Sequence, residues 1–102
     1  MDVAAYCLKQ PGAVETYPFG PEVTVFKVRG KMFALLAPPA NPAAISLKCD
    51  PIRAIVLRQD HPEVTPGYHL NKVHWNTIDL TGTLEFKLVR SLIDHSYGLV
   101  AN

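Results

Sequence analysis

The 102-residue sequence lacks an excess of charge of either sign, because ten lysines and arginines stand against nine aspartates and glutamates for a formal net charge of +1. A surface that attracts phosphate everywhere is therefore excluded, and any nucleic-acid site must be a local patch. No apolar run approaches the roughly 20 residues of a membrane span. The N-terminus has no basic segment ahead of an apolar stretch, which a secretory signal would need. We expect a cytoplasmic protein without membrane partners.

The chain also lacks the motifs of catalysis and metal binding. It has no phosphate-cradling glycine loop and no paired-carboxylate signature, so we predict a non-enzymatic protein without a cofactor. The two cysteines, Cys7 and Cys49, are predicted to be buried thiols, because a reducing compartment disfavours a disulfide. His69 and His74 could not bind one metal ion from a single strand, because an odd separation points them to opposite faces. We predict no metal site.

Three side chains are placed to cap helices. Asp2, Asp50 and Thr83 each precede a segment with helical character, and side chains of these types accept hydrogen bonds from the free amides of a first turn. The predicted helices cover residues 3–10, begin at Pro51, and cover residues 84–100. On the second helix we expect Ile52, Ile55 and Val56 to form a buried stripe, with Arg53 and Arg58 outside.

Two β-rich runs flank Arg29-Gly30 and predict a hairpin with these residues as its turn. A turn displaced by one residue would exchange the two faces, and the sequence leaves that alternative open. The predicted register sets Val28 opposite Lys31, Lys27 opposite Met32, Phe26 opposite Phe33 and Thr24 opposite Leu35.

Two further segments have the alternation of a strand. The first runs from Ile45 to Cys49 and is predicted to bury its odd-numbered side chains and to expose Ser46 and Lys48 to water. The second covers residues 73–80, in which Trp75 lies on the face opposite to that of its two neighbours.

The predicted elements follow the order helix, three strands, helix, strand, helix. This order is typical of an α+β two-layer sandwich, with a mainly antiparallel sheet and helices on one face. The length suits one modest core and leaves no room for a second. We therefore predict a single domain over residues 1–102.

The stretch PGYHLNKVHWN, residues 66–76, concentrates polar and aromatic side chains. A nucleic-acid surface uses cations for phosphate, planar groups for stacking and amides for base edges, and this stretch offers all three. The same residue types are also common as strand-end hydrogen bonders, sheet-packing aromatics and solvated lysines. The stretch therefore predicts either a binding surface or a stabilising polar cluster with function elsewhere.

Five segments in this order and spacing resemble the bacterial MmcQ/YjbR family. They are YPFGPE at residues 17–22, FKVRGKMFALL at 26–36, SLKCDP at 46–51, PGYHLNKVHWN at 66–76 and LIDHSYGLV at 92–100. The resemblance implies a compact α+β domain like that of the frataxin-related CyaY group. It also implies a DNA-binding protein with a double-wing motif.

On this resemblance, DNA binding is the leading functional hypothesis. The alternative is a small-molecule or protein interaction module with a polar and aromatic pocket at the sheet rim, walled by Tyr68 and Trp75. A continuous basic stripe would favour DNA, and a concave aromatic pocket would favour a small ligand. The oligomeric state is left open. The predicted contact residues are Lys48, Tyr68, His69, Asn71, Lys72, His74, Trp75 and Asn76, with secondary basic contacts at Lys27, Arg29 and Lys31.

Overall fold

A computed structural model describes residues 2–102, which form three helices and one six-stranded antiparallel sheet. The strand order across the sheet is β1-β2-β3-β4-β6-β5. The helices are α1 (Val3–Leu8), α2 (Pro51–Asp60) and α3 (Phe86–Ala101). The strands are β1 (Val14–Thr16), β2 (Thr24–Val28), β3 (Lys31–Ala37), β4 (Ala44–Lys48), β5 (Val64–Pro66) and β6 (Trp75–Asp79).

The core lies between one face of the sheet and the helices, which confirms the predicted α+β architecture. Leu36, Ile45 and Ile78 stand in one row across β3, β4 and β6, and all three are buried. Val89 and Ile93 of α3 are buried in the same cluster. Burial of each such side chain contributes roughly 1.5–3 kcal/mol. We call this the helix-covered face, and the alternate side chains of the same strands form the open face.

The β2–β3 hairpin turns at Arg29-Gly30, as predicted. The φ angles of 52° at Arg29 and 77° at Gly30 are both left-handed, as a two-residue hairpin turn requires. Val28 pairs with Lys31 directly beside this turn. The turn and the first pairs of the predicted register are therefore confirmed.

Beyond those first pairs the predicted register is wrong by one residue. A β-bulge shifts the pairing, because an extra residue on one strand has no partner on the other. Phe26 pairs with Ala34 instead of the predicted Phe33, and Thr24 pairs with Leu36 instead of the predicted Leu35. The shift sends Leu36 to the helix-covered face and Leu35 to the open face.

The strands β1 and β5 were not predicted. Each has only three residues and lies at an edge of the sheet. A segment this short shows no reliable alternation, so only its pairing with a neighbour defines it as a strand. Together the two edge strands widen the open face from four strands to six.

Two of the three predicted helix caps are confirmed. The carboxylates of Asp2 and Asp50 accept first-turn amides at 2.9 and 3.1 Å, as N-cap residues do. Thr83 is not a cap, because α3 begins three residues later, at Phe86. Its hydroxyl instead donates to Glu63 Oε2 at 3.0 Å.

The predicted buried stripe of α2 is wrong. Ala54 and Leu57 face the sheet and are buried, and Arg53 and Arg58 are half-buried rather than outside. The small alanine lets the helix approach the sheet closely, and this orientation turns the β-branched residues outward. The exposed residues are Ile52 (74%), Ile55 (47%) and Val56 (46%).

His95 of α3 holds the start of α2. Its Nε2 accepts a hydrogen bond from the Asp50 amide at 3.1 Å, so this nitrogen must be unprotonated. Burial, and then the positive charge of Arg53, lower the pKa of His95 below its ordinary value. The neutral imidazole is therefore the form that stabilises the fold.

Cys7 and Cys49 are buried free thiols, as predicted. Burial raises the pKa of Cys7 to about 12 and also raises the pKa of Cys49. Thiols kept protonated in this way are poor nucleophiles.

Among residues 2–102, no helix combines the length and the apolar character needed to cross a membrane.

Candidate ligand pocket on the open face of the sheet

A concave cavity of about 580 Å³ lies on the open face of the sheet. Four floor residues stand side by side in one row across β3, β4, β6 and β5: Leu35, Ser46, Thr77 and Thr65. Most of the lining surface is apolar. Small-molecule sites commonly have volumes of about 300–1,000 Å³ and a mainly apolar lining with a few polar groups.

Two segments from opposite sides of the sheet form the walls of this cavity. The connection between β1 and β2 contributes Phe19, which is 65% exposed. The connection between β5 and β6, which we call the 67–74 loop, contributes Tyr68, His69 and Leu70. Tyr68 is 71% exposed, and its ring centroid lies 4.0 Å from that of His69. Exposed aromatic side chains beside an apolar concave surface are well suited to contact a flat ligand.

The floor carries a pair of hydroxyl groups that also anchors the 67–74 loop. Ser46 Oγ and Thr77 Oγ1 lie 2.8 Å apart and share a hydrogen bond. The backbone amide of Tyr68 donates to Thr77 Oγ1 at 2.9 Å. Ser46, which was predicted to face water, is only 8% exposed. It lies in the middle of the wide sheet, where its neighbours in the row cover it on both sides.

Hydrogen bonds within the 67–74 loop occupy two of the predicted contact residues. Asn71 Oδ1 accepts the amides of Val73 and His74 at 2.9 and 3.1 Å, a side-chain turn typical of asparagine. Lys72 Nζ donates to the Gly67 carbonyl at 2.7 Å. The side-chain amide of Asn71 and the ammonium of Lys72 therefore stabilise the conformation of the loop.

Trp75 packs beneath the loop instead of forming a pocket wall. It is 9% exposed and pairs with Lys48 on the open face. Its carbonyl accepts the Gly67 amide at 2.9 Å. A Cβ atom added at Gly67 would lie 2.7 Å from the Trp75 Cβ, so the loop can approach this closely only with glycine at this position.

Asn76 lies on the helix-covered face, 2% exposed, and so cannot belong to the predicted contact surface. Its Oδ1 accepts from Arg58 Nη1 at 3.0 Å, and its Nδ2 donates to the Ala54 carbonyl at 3.4 Å. The same Arg58 nitrogen donates to the Lys72 carbonyl at 3.1 Å. Arg58 therefore joins α2, β6 and the 67–74 loop.

The basic residues do not form the continuous stripe that a DNA surface would favour. Lys27, Arg29 and Lys31 lie at or beside the turn of the β2–β3 hairpin, with Lys27 and Lys31 on opposite faces of the sheet. Lys48 lies half-buried beside Trp75. The ammonium of Lys72 is already bonded within its loop. Of the predicted basic contacts, those that remain free for a partner are therefore the ones at the hairpin. His74 is exposed but lies outside the residues that line the cavity.

Tyr68 and His69 are thus the predicted residues that the structure brings to the cavity. Sequence reasoning missed Phe19, although an aromatic residue between Pro18 and Gly20 in a turn is a signal for an exposed ring. It also missed the floor, because Leu35 reaches the open face only through the bulge.

Within residues 2–102, no group of three or more His, Cys, Asp or Glu side chains is placed to hold a metal ion.

Comparison with known proteins identifies the family. The YjbR family model matches residues 8–99. The chain belongs to the YjbR family. It is 38% identical over 101 residues to the uncharacterized protein YjbR of Escherichia coli K12, covering 99% of this chain and 86% of that protein. It is also 38% identical over 95 residues to the uncharacterized protein YbdF of Escherichia coli O157:H7, covering 93% and 78% of the two chains.

Solved structures of YjbR relatives have the same fold. The Deinococcus radiodurans protein DR2400, with a DUF419 domain, superimposes with a TM-score of 0.91 at 43% identity, covering 99% of this chain and 77% of that chain. A Pseudomonas syringae protein superimposes with a TM-score of 0.80 at 31% identity, covering 94% and 93%. The resemblance seen in the sequence is therefore confirmed at the level of family and fold.

Proposed function

We propose that this YjbR-family protein binds a small molecule with a flat, largely apolar body in the open-face pocket. The observation that carries the proposal is the mainly apolar cavity of about 580 Å³, flanked by the exposed rings of Phe19 and Tyr68. Covering such surface with a ligand contributes about 25 cal/mol for each Å² of apolar area removed from water.

The wall formed by the 67–74 loop is held in place before any ligand binds. Its contacts to Thr77 Oγ1, to its own carbonyl groups and to Arg58 fix the backbone that carries Tyr68 and His69. A site that is already ordered loses less conformational entropy when it binds. The dense polar stretch at residues 66–76 thus supports the proposal indirectly, by building a rigid wall.

His69 adds an independent observation. Its φ of 57° is left-handed, a conformation that costs a non-glycine residue roughly 1–2 kcal/mol. Backbone strain of this kind is concentrated at ligand-binding sites. A histidine at a position that favours glycine is consistent with a role for its side chain in the pocket.

Saturation-transfer NMR with a set of one- and two-ring compounds would test the proposal. Affinities of the compounds that bind would then be measured for wild type, Phe19→Ala, Tyr68→Ala and the control Ile52→Ala. All three side chains are more than half exposed, so their truncation should leave the fold intact. Ile52 lies on α2, away from the open face, and matches the two aromatic residues in exposure.

We expect each pocket variant to weaken binding about 2- to 12-fold, which corresponds to the roughly 0.5–1.5 kcal/mol contributed by an aromatic contact. The Ile52→Ala variant should bind as wild type does. Equal affinities for all four proteins, or no binding by any ring compound, would refute the proposal.

The second candidate function is DNA binding, favoured by Lys27, Arg29 and Lys31 at or beside the turn of the hairpin. Three phosphate contacts would give a slope of about −3 for the logarithm of the binding constant against that of salt concentration. Fluorescence anisotropy with duplex DNA would measure this slope. If the protein binds DNA through this hairpin, substituting all three residues with alanine should abolish the salt-dependent binding. Absence of binding to duplex DNA at low salt would exclude this function.

A further inference from the structure

We infer that the ligand of the open-face pocket presents a hydrogen-bond-accepting oxygen, of a carbonyl or carboxylate group, to the Ser46 and Thr77 hydroxyls. This inference rests on the proposed function and adds the chemical class of the ligand. Three features of the pocket carry it: the hydrogen count of its floor, the charge of its lining, and the position of the hydroxyl pair relative to the aromatic walls.

The first feature is a spare hydroxyl hydrogen on the floor. Ser46 and Thr77 each bring one hydroxyl hydrogen, and the 2.8 Å bond between them uses one of the two. The amide of Tyr68 donates to Thr77 Oγ1 and so adds no acceptor to the pair. Whichever hydroxyl donates to the other, one hydroxyl hydrogen of the pair remains, and no hydrogen bond within residues 2–102 uses it. An oxygen of the ligand would satisfy it.

The second feature is the charge of the lining. Among the described residues that line the cavity there is no aspartate, glutamate, lysine or arginine. A cationic ligand would lose hydration without gaining an opposite charge, which is strongly unfavourable in a mainly apolar site. His69 is the lining residue that can offer a further N–H donor. The described lining holds no lysine or arginine either, so a carboxylate also loses hydration there. Its oxygens can nevertheless accept the free floor hydroxyl hydrogen and an N–H of His69, whereas an ammonium meets no carboxylate in that lining. The pocket therefore suits a neutral oxygen best and a cation least.

The third feature is the place of the hydroxyl pair. Ser46 and Thr77 are central in the floor row, between Leu35 and Thr65. The aromatic rings of Phe19 and Tyr68 belong to the walls. A ring compound that contacts these walls would point one substituent at the floor. This arrangement, a polar group at the floor and apolar contact at the walls, fixes ligand orientation.

Four benzene derivatives of similar size would test the inference by NMR titration: acetophenone, benzoate, ethylbenzene and benzylammonium. Acetophenone and benzoate present a neutral and an anionic oxygen, ethylbenzene presents none, and benzylammonium carries a cation. The variant Ser46→Ala/Thr77→Val removes both hydroxyls, because a single substitution would leave one free hydroxyl hydrogen. The control Thr77→Ser keeps both hydroxyls.

We expect acetophenone or benzoate to bind wild type about 3- to 10-fold more tightly than ethylbenzene, the ratio that one net hydrogen bond supplies. Benzylammonium should bind most weakly of the four. The double variant should lose the preference for oxygen. Because Thr77→Val also removes the acceptor of the Tyr68 amide, the ratio of the acetophenone affinity to the ethylbenzene affinity is the readout, not either affinity alone. Thr77→Ser keeps this acceptor and should retain the preference. Tighter binding of benzoate than of acetophenone would identify an acid as the natural class, and the reverse order a neutral carbonyl compound.

The inference and the proposed function fail in different ways. Similar affinities for acetophenone, benzoate and ethylbenzene, or tight binding of benzylammonium, would overturn the inference while the pocket stands as a ligand site. Failure of all four probes and of the wider compound set to bind would overturn both. The wild-type probe series decides the inference even if the double variant does not fold.

Discussion

Arg58 is the residue whose removal tests most sharply whether the polar stretch builds the pocket wall. Its Nη1 donates to the Lys72 carbonyl at 3.1 Å and to Asn76 Oδ1 at 3.0 Å. Hydrogen bonds to a charged group contribute about 1.5–3 kcal/mol each, and solvent competes at a half-buried site. Asn76 is buried and would be left with an unsatisfied oxygen. We therefore expect Arg58→Met to lower the free energy of unfolding by about 2–3 kcal/mol in total.

The assay is thermal and urea unfolding, with Arg53→Met as the matched control. Arg53 lies on the same helix, and its guanidinium makes only a 3.5 Å contact to the Ser91 hydroxyl, so its loss should cost less than about 0.5 kcal/mol. For a domain of this size, the loss at Arg58 corresponds to a fall in Tm of roughly 10–20 °C. If Arg58→Met were as stable as Arg53→Met, the hydrogen bonds by which Arg58 joins α2 to β6 and to the 67–74 loop would contribute nothing to stability.

Three further predictions concern the loop, the thiols and the response to pH. Gly67→Ala should lower the free energy of unfolding by about 1 kcal/mol or more, because the added Cβ would collide with Trp75. Gly98→Ala adds a Cβ that meets nothing within 4 Å and should stabilise α3 by about 0.5–1 kcal/mol. Urea unfolding measures both changes. Cys7 and Cys49 should react with a thiol reagent only after denaturation, and rapid labelling of the native protein would contradict their burial. Because the pKa of His95 is lowered in the fold, the unfolded chain binds its proton first as pH falls, so stability should decrease below about pH 6.5; this part of the pH dependence should be absent in His95→Gln.

Features with local causes were predicted from the sequence. Asp2 and Asp50 cap helices because the amides they accept lie within the next turn. The Arg29-Gly30 turn is similarly local, since its backbone conformation depends on two residues. The third helix was predicted because its helical spacing continues over about sixteen residues, which is long enough to leave little ambiguity about the type of element.

Features that depend on distant contacts were not predicted. The bulge accommodates Phe33, whose ring packs edge-on against Tyr97 of α3 with centroids 5.4 Å apart, and no neighbouring residue in the sequence signals this contact. The orientation of α2 likewise depends on Arg58, which reaches β6 and the 67–74 loop. Apolar spacing alone favoured the wrong side of that helix.

The candidate pocket includes part of the predicted stretch, but the structure gives most residues of that stretch roles that differ from the predicted ones. Composition showed a concentration of polar groups at residues 66–76, and it could not show which groups already have partners. Asn71, Lys72 and Asn76 hydrogen-bond to protein atoms, and Trp75 is buried. The groups that remain for a ligand are mainly the rings of the loop and a floor assembled from four strands, which only the pairing of the sheet reveals.

The central claim is that ligands bind on the open face, and backbone amide chemical shifts measured with and without a bound ring compound test it most directly. The account predicts that the largest shift changes fall at Leu35, Ser46, Tyr68 and Thr77, while the hairpin tip and α2 stay unchanged. Changes confined to residues 27–31 or to α2, with the floor row unaffected, would contradict it.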